Sequence, residues 1–328
     1  MEKSSQPFLA PIMSSASKPG AGETMAGSGT KVVVITGASS GIGRSTAHAF
    51  AQQGAAVILA ARDKQALEMV AQECRQRGGR ALVFPLDVSD EAQVSALADA
   101  AIEAFGRIDV WLNCAAVLMF GRVEDQSADA FRRVIDINLF GYVYGTRAAI
   151  RIFKNQENRG VLINVGSMLG ASGEPYLAAY VTSKAAIRSF TTCTRQEMQI
   201  YPNIHVCTVL PVAMDTPIYQ KGANYFGKAV RSMTPIYAVE RAANAIVRLA
   251  KRPAAETIVG TYGHVLGLAL RISPRLIELL IGRFAPRIQF EDAPLGDHDG
   301  NLFISRNPQS KDGGWRKYWL DTIRRRRA

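Results

Sequence analysis

The sequence predicts an α/β fold in which a doubly wound parallel sheet carries helices on both faces. Three observations predict it. Short, almost wholly apolar runs recur along residues 31–260, longer segments of helical periodicity separate them, and the runs lack the alternation of a sheet with one wet face. Parallel neighbours need crossover connections, which are right-handed helices in most such sheets.

The first run, "KVVVIT" at 31–36, leads into "GIGRSTAHAFAQQG" at 41–54, which reads as a helix. "AAVILAA" at 55–61 and "RALVFPL" at 80–86 are the next two strands, with the helix "KQALEMVAQECRQR" at 64–77 between them. "EAQVSALADAAIEAF" at 91–105 is a helix that precedes the fourth strand, "IDVWLN" at 108–113. "GVLINVG" at 160–166, "NIHVCTVL" at 203–210 and "ETIVG" at 256–260 complete the set. Together they describe a Rossmann-type sheet, whose ligands bind beyond the carboxyl ends of the strands. No solenoid-type repeat is present.

A chain of 328 residues, 48% of them hydrophobic, can bury the core of one large domain. That catalytic domain is expected over residues 30–260, after a disordered leader at 1–29 and before a C-terminal extension at 261–328. The leader lacks the apolar core of a signal peptide, and no stretch reaches the roughly 18 apolar residues of a membrane span. A cytoplasmic location is expected, with membrane association through the extension as the alternative. A net charge of +11 would suit a polyanion if it were clustered, but only the four arginines at 324–327 are, so nucleic acid is not the expected partner. Cys74, Cys114, Cys193 and Cys207 have no CxxC spacing and the four histidines are scattered, which points to free thiols and no metal site.

The chemistry begins at "TGASSGIG", residues 36–43, directly after the first strand. Gly37, Gly41 and Gly43 occupy the strand-to-helix turn. A helix N-terminus offers unpaired N–H groups and partial positive charge, and glycines let a dinucleotide pyrophosphate reach them. The spacing is G-x-x-x-G-x-G rather than G-x-G-x-x-G, so position after the first strand matters more than the pattern. At the end of the second strand, where a carboxylate would hold ribose hydroxyls, the chain places Arg62, whose guanidinium suits an extra phosphate. NADP(H) is therefore favoured over NAD(H). Further on, Tyr180 and Lys184 are spaced i,i+4 and share a helix face. A neighbouring ammonium is expected to pull the phenol below its usual pKa of about 10. Ser167, at the end of the fifth strand, brings a hydroxyl to the same edge of the sheet, placed to bond a reacting carbonyl oxygen.

Across roughly residues 31–260 these motifs resemble the short-chain dehydrogenases/reductases. The resemblance implies a cofactor turn of Gly37, Ser39, Ser40, Gly41, Ile42 and Gly43, and an adenine contact at Asp87 and Val88. It implies a cofactor floor at Asn113 and Ala115 in "NCAA", a water-relay asparagine at Asn138, and catalytic Ser167, Tyr180 and Lys184. Tyr180 and Lys184 would also touch the cofactor, as would Pro211 and Thr216. It further implies reversible hydride transfer between nicotinamide and an alcohol or carbonyl, with Tyr180 as the proton donor or acceptor. Two departures stand out: Cys114 and Ala116 replace the usual Asn and Gly, and Val212 stands after Pro211 where glycine is usual.

Met119, Phe120, Met168, Leu169, Tyr176, Met214 and Tyr219 are expected to border the pocket, which suits a small apolar carbonyl or alcohol substrate. In the extension, "HVLGLALRISPRLIELLIGRFAPRI" at 264–288 mixes apolar residues with arginines, and Ser273-Pro274 should break it into two helices. A lid or homo-oligomer contact is the first reading of this segment, and peripheral membrane contact the second. "EDAPLGDHDGNLF" at 291–303 and "NPQSKDGG" at 307–314 read as surface loop. A homo-oligomer is the expected assembly. The alternative function is a cofactor-binding regulatory or scaffold protein without turnover, against which the complete Ser167, Tyr180 and Lys184 set argues.

Overall fold

The seven apolar runs become the seven strands of one parallel sheet: β1 (Val32–Thr36), β2 (Ala56–Ala61), β3 (Arg80–Pro85), β4 (Val110–Asn113), β5 (Gly160–Val165), β6 (Ile204–Pro211) and β7 (Glu256–Val259). Their spatial order is β7-β6-β5-β4-β1-β2-β3, so the chain reverses its direction of travel between β1 and β4. A crevice opens at such a switch point, beyond the strand carboxyl ends. The structure, a computed structural model, describes residues 30–305 and 313–327. The leader at 1–29, residues 306–312, which include most of the second expected loop, and residue 328 lie outside the described residues, as do the side chains of the arginines at 324–327.

Helices α1 (Gly41–Ala51), α2 (Lys64–Gln76), α3 (Glu91–Phe105), α4 (Ala128–Ile135), α5 (Gly141–Asn155), α6 (Ala178–Glu197) and α7 (Val239–Leu249) cover the sheet. Phe50, Leu67 and Ile246 carry α1, α2 and α7 into one apolar layer, while Leu97, Phe153 and Ala179 carry α3, α5 and α6 into the other. Every strand residue of β1 and β5 is buried, as continuous apolar sequence on a two-sided sheet requires. Local chemistry sets the helix ends. Asp63 accepts the Ala66 N–H at the start of α2, Asp90 accepts those of Ala92 and Gln93 at the start of α3, and Gly106 closes α3 at φ +73°.

Beyond the sheet, Pro274 opens a second helix where the first ends. The extension forms α8 (Thr261–Ile272) and α9 (Pro274–Gln289), as the Ser273-Pro274 break predicts. The stretch expected to be surface loop is more ordered than its composition suggests. Phe290–Pro294 pairs antiparallel with Lys228–Val230, and Leu302 is completely buried. Phe290 and Leu302 lie in short segments with no helical or strand period, so only tertiary packing reveals their role.

Candidate active site

The glycine turn is as tight as its composition implies. A Cβ on Gly37, at φ +70°, would lie 2.7 Å from the Ala115 Cα, and one on Gly43 would lie 2.2 Å from the Gly37 carbonyl oxygen. Gly41, at φ +53°, would meet the Thr216 side chain at 3.1 Å. Ser40 caps α1 in extended conformation without a side-chain cap bond, leaving the helix N-terminus open to the cleft. Ser39, Ser40, Ile42, Arg62, Asp87, Val88, Ala115, Tyr180, Lys184, Pro211 and Thr216 all line that cleft with the glycines. Asn113 does not, contrary to expectation. Its Oδ1 accepts from Trp111 Nε1 at 2.8 Å and its Nδ2 donates to Asn164 Oδ1 at 2.9 Å. Asn164 in turn donates to Thr191 at 2.9 Å, so this buried chain ties β4, β5 and α6 together beneath the cleft.

At the β2 end of the cleft, Arg62 donates to the carbonyls of Leu302 at 2.9 Å and Asn301 at 2.6 Å. Arg133 donates to the same Leu302 carbonyl at 3.0 Å and pairs with Asp87. Burial works against the Asp87 carboxylate, but Arg133 and Ser89 outweigh it and hold the group below its ordinary range. Lys221, which the sequence reading does not pick out, reaches the glycine turn from 181 residues away and donates to Ser40 Oγ at 3.4 Å. It is 9% exposed and forms no ion pair among the described residues; burial pushes its ammonium down, partly offset by Asp63. Asn301 and Ser305 also line the cleft. No sequence signal marks them, because only the folded chain brings the extension back to β2.

At the other end, Tyr180 and Lys184 project from the first turns of α6. Lys184 Nζ donates to the Val165 carbonyl at 2.9 Å and to Tyr142 Oη at 3.4 Å, and lies 5.6 Å from the centre of the Tyr180 ring. Ser167 faces the same cavity as the Tyr180 phenol and acts on its acidity. Burial pushes that phenol well above its ordinary range, the Tyr219 phenol adds to the push, and the Ser167 hydroxyl only partly opposes it. Burial likewise pulls Lys184 down to about 8. The expected acidification of Tyr180 by Lys184 is not what the structure shows: burial is the largest cause at both groups, raising the phenol and lowering the ammonium, and it favours the neutral form of each.

Asn138 sits in an irregular π turn, Asp136–Phe140, between α4 and α5. Its side chain accepts the Val117 N–H at 2.8 Å and donates to the Val117 carbonyl at 3.0 Å and to Ser183 Oγ at 3.2 Å. Ser183 then donates to the Tyr180 carbonyl at 2.7 Å. The amide is fully buried and committed to fixing the loop after β4 against the turn of α6 that carries Tyr180.

A second, mostly apolar cavity joins the cleft of the glycine turn, and Ile42, Tyr180, Pro211, Thr216 and Ile218 line both. Ser167, Met168, Leu169, Met214 and Tyr219 face it, as expected. Met119, Phe120 and Tyr176 do not. Met119 belongs to the main core, while Phe120 and Tyr176 pack around Phe290, which stacks on Phe226 at 3.9 Å between ring centres. Leu118 takes the lining position instead. Val212 lines the cavity too, and glycines at the start of the extension make room for it. A Cβ on Gly260 would lie 2.4 Å from Val212 Cγ2, and one on Gly263 would lie 2.8 Å from its Cγ1. Among the described residues no group of His, Cys, Asp and Glu could hold a metal ion, and the four cysteines are unbridged.

A family model described as short chain dehydrogenase matches residues 31–224. The uncharacterized oxidoreductase YxnA of Bacillus subtilis is 34% identical over 294 residues, which cover 88% of this chain and 82% of that protein. The 11-beta-hydroxysteroid dehydrogenase A of Sesamum indicum is 36% identical over 233 residues, covering 68% of this chain and 66% of its own. Among solved structures, an alcohol dehydrogenase from Thermococcus sibiricus complexed with 5-hydroxy-NADP superposes with a TM-score of 0.62 at 30% identity, over 70% of this chain and 96% of the other. A 3-ketoacyl-(acyl-carrier-protein) reductase from Brucella melitensis complexed with NADH gives the same TM-score at 29% identity, over 70% and 96% of the two chains.

Proposed function

Since the chain belongs to the short-chain dehydrogenase/reductase family of oxidoreductases, we propose that it is an NADP(H)-dependent enzyme that interconverts an apolar alcohol and its carbonyl compound. One observation carries the reading: Tyr180 stands where the cleft of the glycine turn meets the apolar cavity that Ser167 also faces, and it lines both. A group moving a proton to a substrate oxygen must stand where substrate and cofactor meet.

The cleft fits a nicotinamide dinucleotide. Gly37 and Gly43 leave no room for a Cβ in its turn, the open N-terminus of α1 suits a pyrophosphate, and Arg62 and Lys221 supply positive charge along its lining. These cations favour the extra phosphate of NADP(H) over NAD(H). The bound nucleotide would supply or accept the hydride. In the reducing direction the neutral Tyr180 phenol donates its proton to the carbonyl oxygen, and the Ser167 hydroxyl donates a hydrogen bond to that same oxygen. In the oxidising direction Tyr180 takes the hydroxyl proton back. Lys184 holds positive charge beside the phenol as it loses its proton, and Asn138 positions the backbone at Tyr180 through Ser183. The lining of Leu118, Met168, Leu169 and Met214 favours an apolar substrate.

The test is a panel of hydrophobic ketones and aldehydes, followed by nicotinamide absorbance with NADPH and with NADH. Turnover of an accepted compound should fall about a hundredfold or more in Tyr180→Phe. Unchanged turnover in that variant would refute the proton-transfer assignment, and equal rates and affinities with both nucleotides would refute the NADP(H) preference.

A further inference from the structure

Helices α8 and α9 present an apolar face to solvent. Val265, Leu268, Ile272 and Leu279 are 64%, 60%, 75% and 67% exposed, and Leu276, Leu280, Phe284 and Ile288 continue the surface at four-residue spacing along α9. Ordinary surface leucines stand singly, whereas a contiguous patch marks a contact. Arg271, Arg275, Arg283 and Arg287 are exposed on the same two helices and take part in no ion pair among the described residues. Only Glu278 offsets their charge locally. Beneath the hairpin lies another apolar cavity, and Leu169, Met233, Thr234, Tyr262 and Leu266 line both it and the cavity at Tyr180.

These features together select the occupant. A second copy docked by two-fold symmetry would set the arginines of one hairpin against those of the other, and like charges so juxtaposed oppose association. An anionic lipid surface satisfies both parts at once, taking the apolar side chains at the acyl boundary and the arginines among its head groups. No helix among the described residues is long and apolar enough to cross a membrane, so the contact would lie in the interface plane.

We propose that α8 and α9 form a docking face for an anionic lipid bilayer, and that the cavity beneath them receives substrate from the lipid. The entry route rests on the apolar-substrate reading above; the docking face does not.

The full chain is sedimented with vesicles of phosphatidylcholine alone and of phosphatidylcholine mixed with phosphatidylglycerol. Retention is expected on the mixed vesicles only, and it should weaken as salt is added. The pair Leu268→Asp and Leu279→Asp, and separately the pair Arg275→Glu and Arg283→Glu, should each lower retention roughly tenfold or more, with melting temperature unchanged. All four positions are exposed and outside the cavities. Equal retention of parent and variants, equal retention on both vesicles, or no retention would overturn the docking face. So would a dimer in solution that the aspartate substitutions dissolve while vesicles bind nothing. For entry, the variants should lose turnover of a long-chain ketone carried in mixed vesicles and keep that of a short water-soluble ketone; equal rates on the vesicle-borne ketone would overturn the route. If the parent binds vesicles but turns over neither ketone, the substrate reading and the entry route fall while docking stands.

Discussion

Arg62 and Leu302 join the second strand to the C-terminal extension: the guanidinium at the end of β2 donates to the backbone carbonyl of a fully buried leucine 240 positions later. Arg133 donates to the same carbonyl, so two cations meet at one oxygen of the extension. The peptide at Gly300 packs just as closely against the segment that carries Lys221, where a Cβ would come 2.4 Å from the Lys221 carbonyl oxygen. The extension is therefore part of the wall of the cleft at the glycine turn.

Arg62→Ala and Lys221→Met should each weaken NADPH binding about tenfold or more while changing NADH binding little, since a charge-assisted phosphate contact is lost in each. Titration calorimetry with both nucleotides measures this. The two variants should differ in a second readout. Arg62→Ala removes side-chain bonds to Asn301 and Leu302, so amide exchange over residues 299–305 should quicken. Lys221→Met leaves its backbone bond from the Asn301 N–H intact and should not have that effect. Parallel losses of NADPH and NADH in both variants would show that these cations do not read the extra phosphate.

Lys184 carries a cost that function explains. Burial holds its ammonium at about 8, against an ordinary value of 10.5. Between those values the folded chain binds fewer protons at this site than the unfolded chain, so stability rises with pH across the window and the full cost applies below about pH 8. Lys184→Met should accordingly raise the melting temperature of the nucleotide-free protein near pH 7. The gain should shrink as pH climbs past about 8, while turnover falls about a hundredfold or more. A lower melting temperature at every pH would mean that the bonds to Val165 and Tyr142 outweigh the cost of desolvation.

Glu174 offers the opposite sign. Burial raises its carboxyl to about 7, against the pull of the Gln289 amide that ties it to the end of α9. Tyr219 is the titratable neighbour it acts upon. The folded chain keeps a proton there that the unfolded chain releases near 4.5, so the associated stability is complete at about pH 4.5 and is lost as pH rises through about 7. Proteolysis within α8 and α9 should therefore quicken between about pH 4.5 and 7 and level off above that. Glu174→Gln should flatten that dependence; the same acceleration in the variant would place the pH sensor elsewhere.

Legibility from sequence followed the physical origin of each feature. The strands were readable because burial on both faces leaves no polar residue to blur a run, and "TGASSGIG" because glycines mark the places where backbones touch. Tyr180 and Lys184 were readable because helical spacing puts them on one face. Asn113 was placed wrongly because its chemistry is the same whether the amide faces a ligand or a buried network, and only the Trp111 and Asn164 partners decide. Leu118 and Met119 were exchanged because a strand of two residues has no period to read. Lys221, Asn301 and Ser305 carried no signal, since each reaches the cleft only through long-range folding. The sign of the shift at Tyr180 escaped for a related reason: a charged neighbour is visible in sequence, whereas depth of burial is not.

Val212 shows how a departure from the family pattern is accommodated. Its branched side chain occupies space that glycine would leave empty, and Gly260 and Gly263 give way on the opposing surface, so α8 starts directly against the apolar cavity at Tyr180. Gly263 has no room for a methyl group, with Ile258 Cγ2 at 2.7 Å and Val212 Cγ1 at 2.8 Å from the position a Cβ would take. Gly263→Ala should therefore cost about 1–3 kcal/mol of stability and disturb substrate affinity, because relief requires α8 to move away from the cavity it closes. Val212→Gly in the same chain should restore part of both, since it empties the space the new methyl needs. The double-mutant cycle, read by thermal unfolding and by KM, measures that coupling. Additive losses would show that Ile258 alone opposes the methyl and that Val212 and Gly263 are not a matched pair.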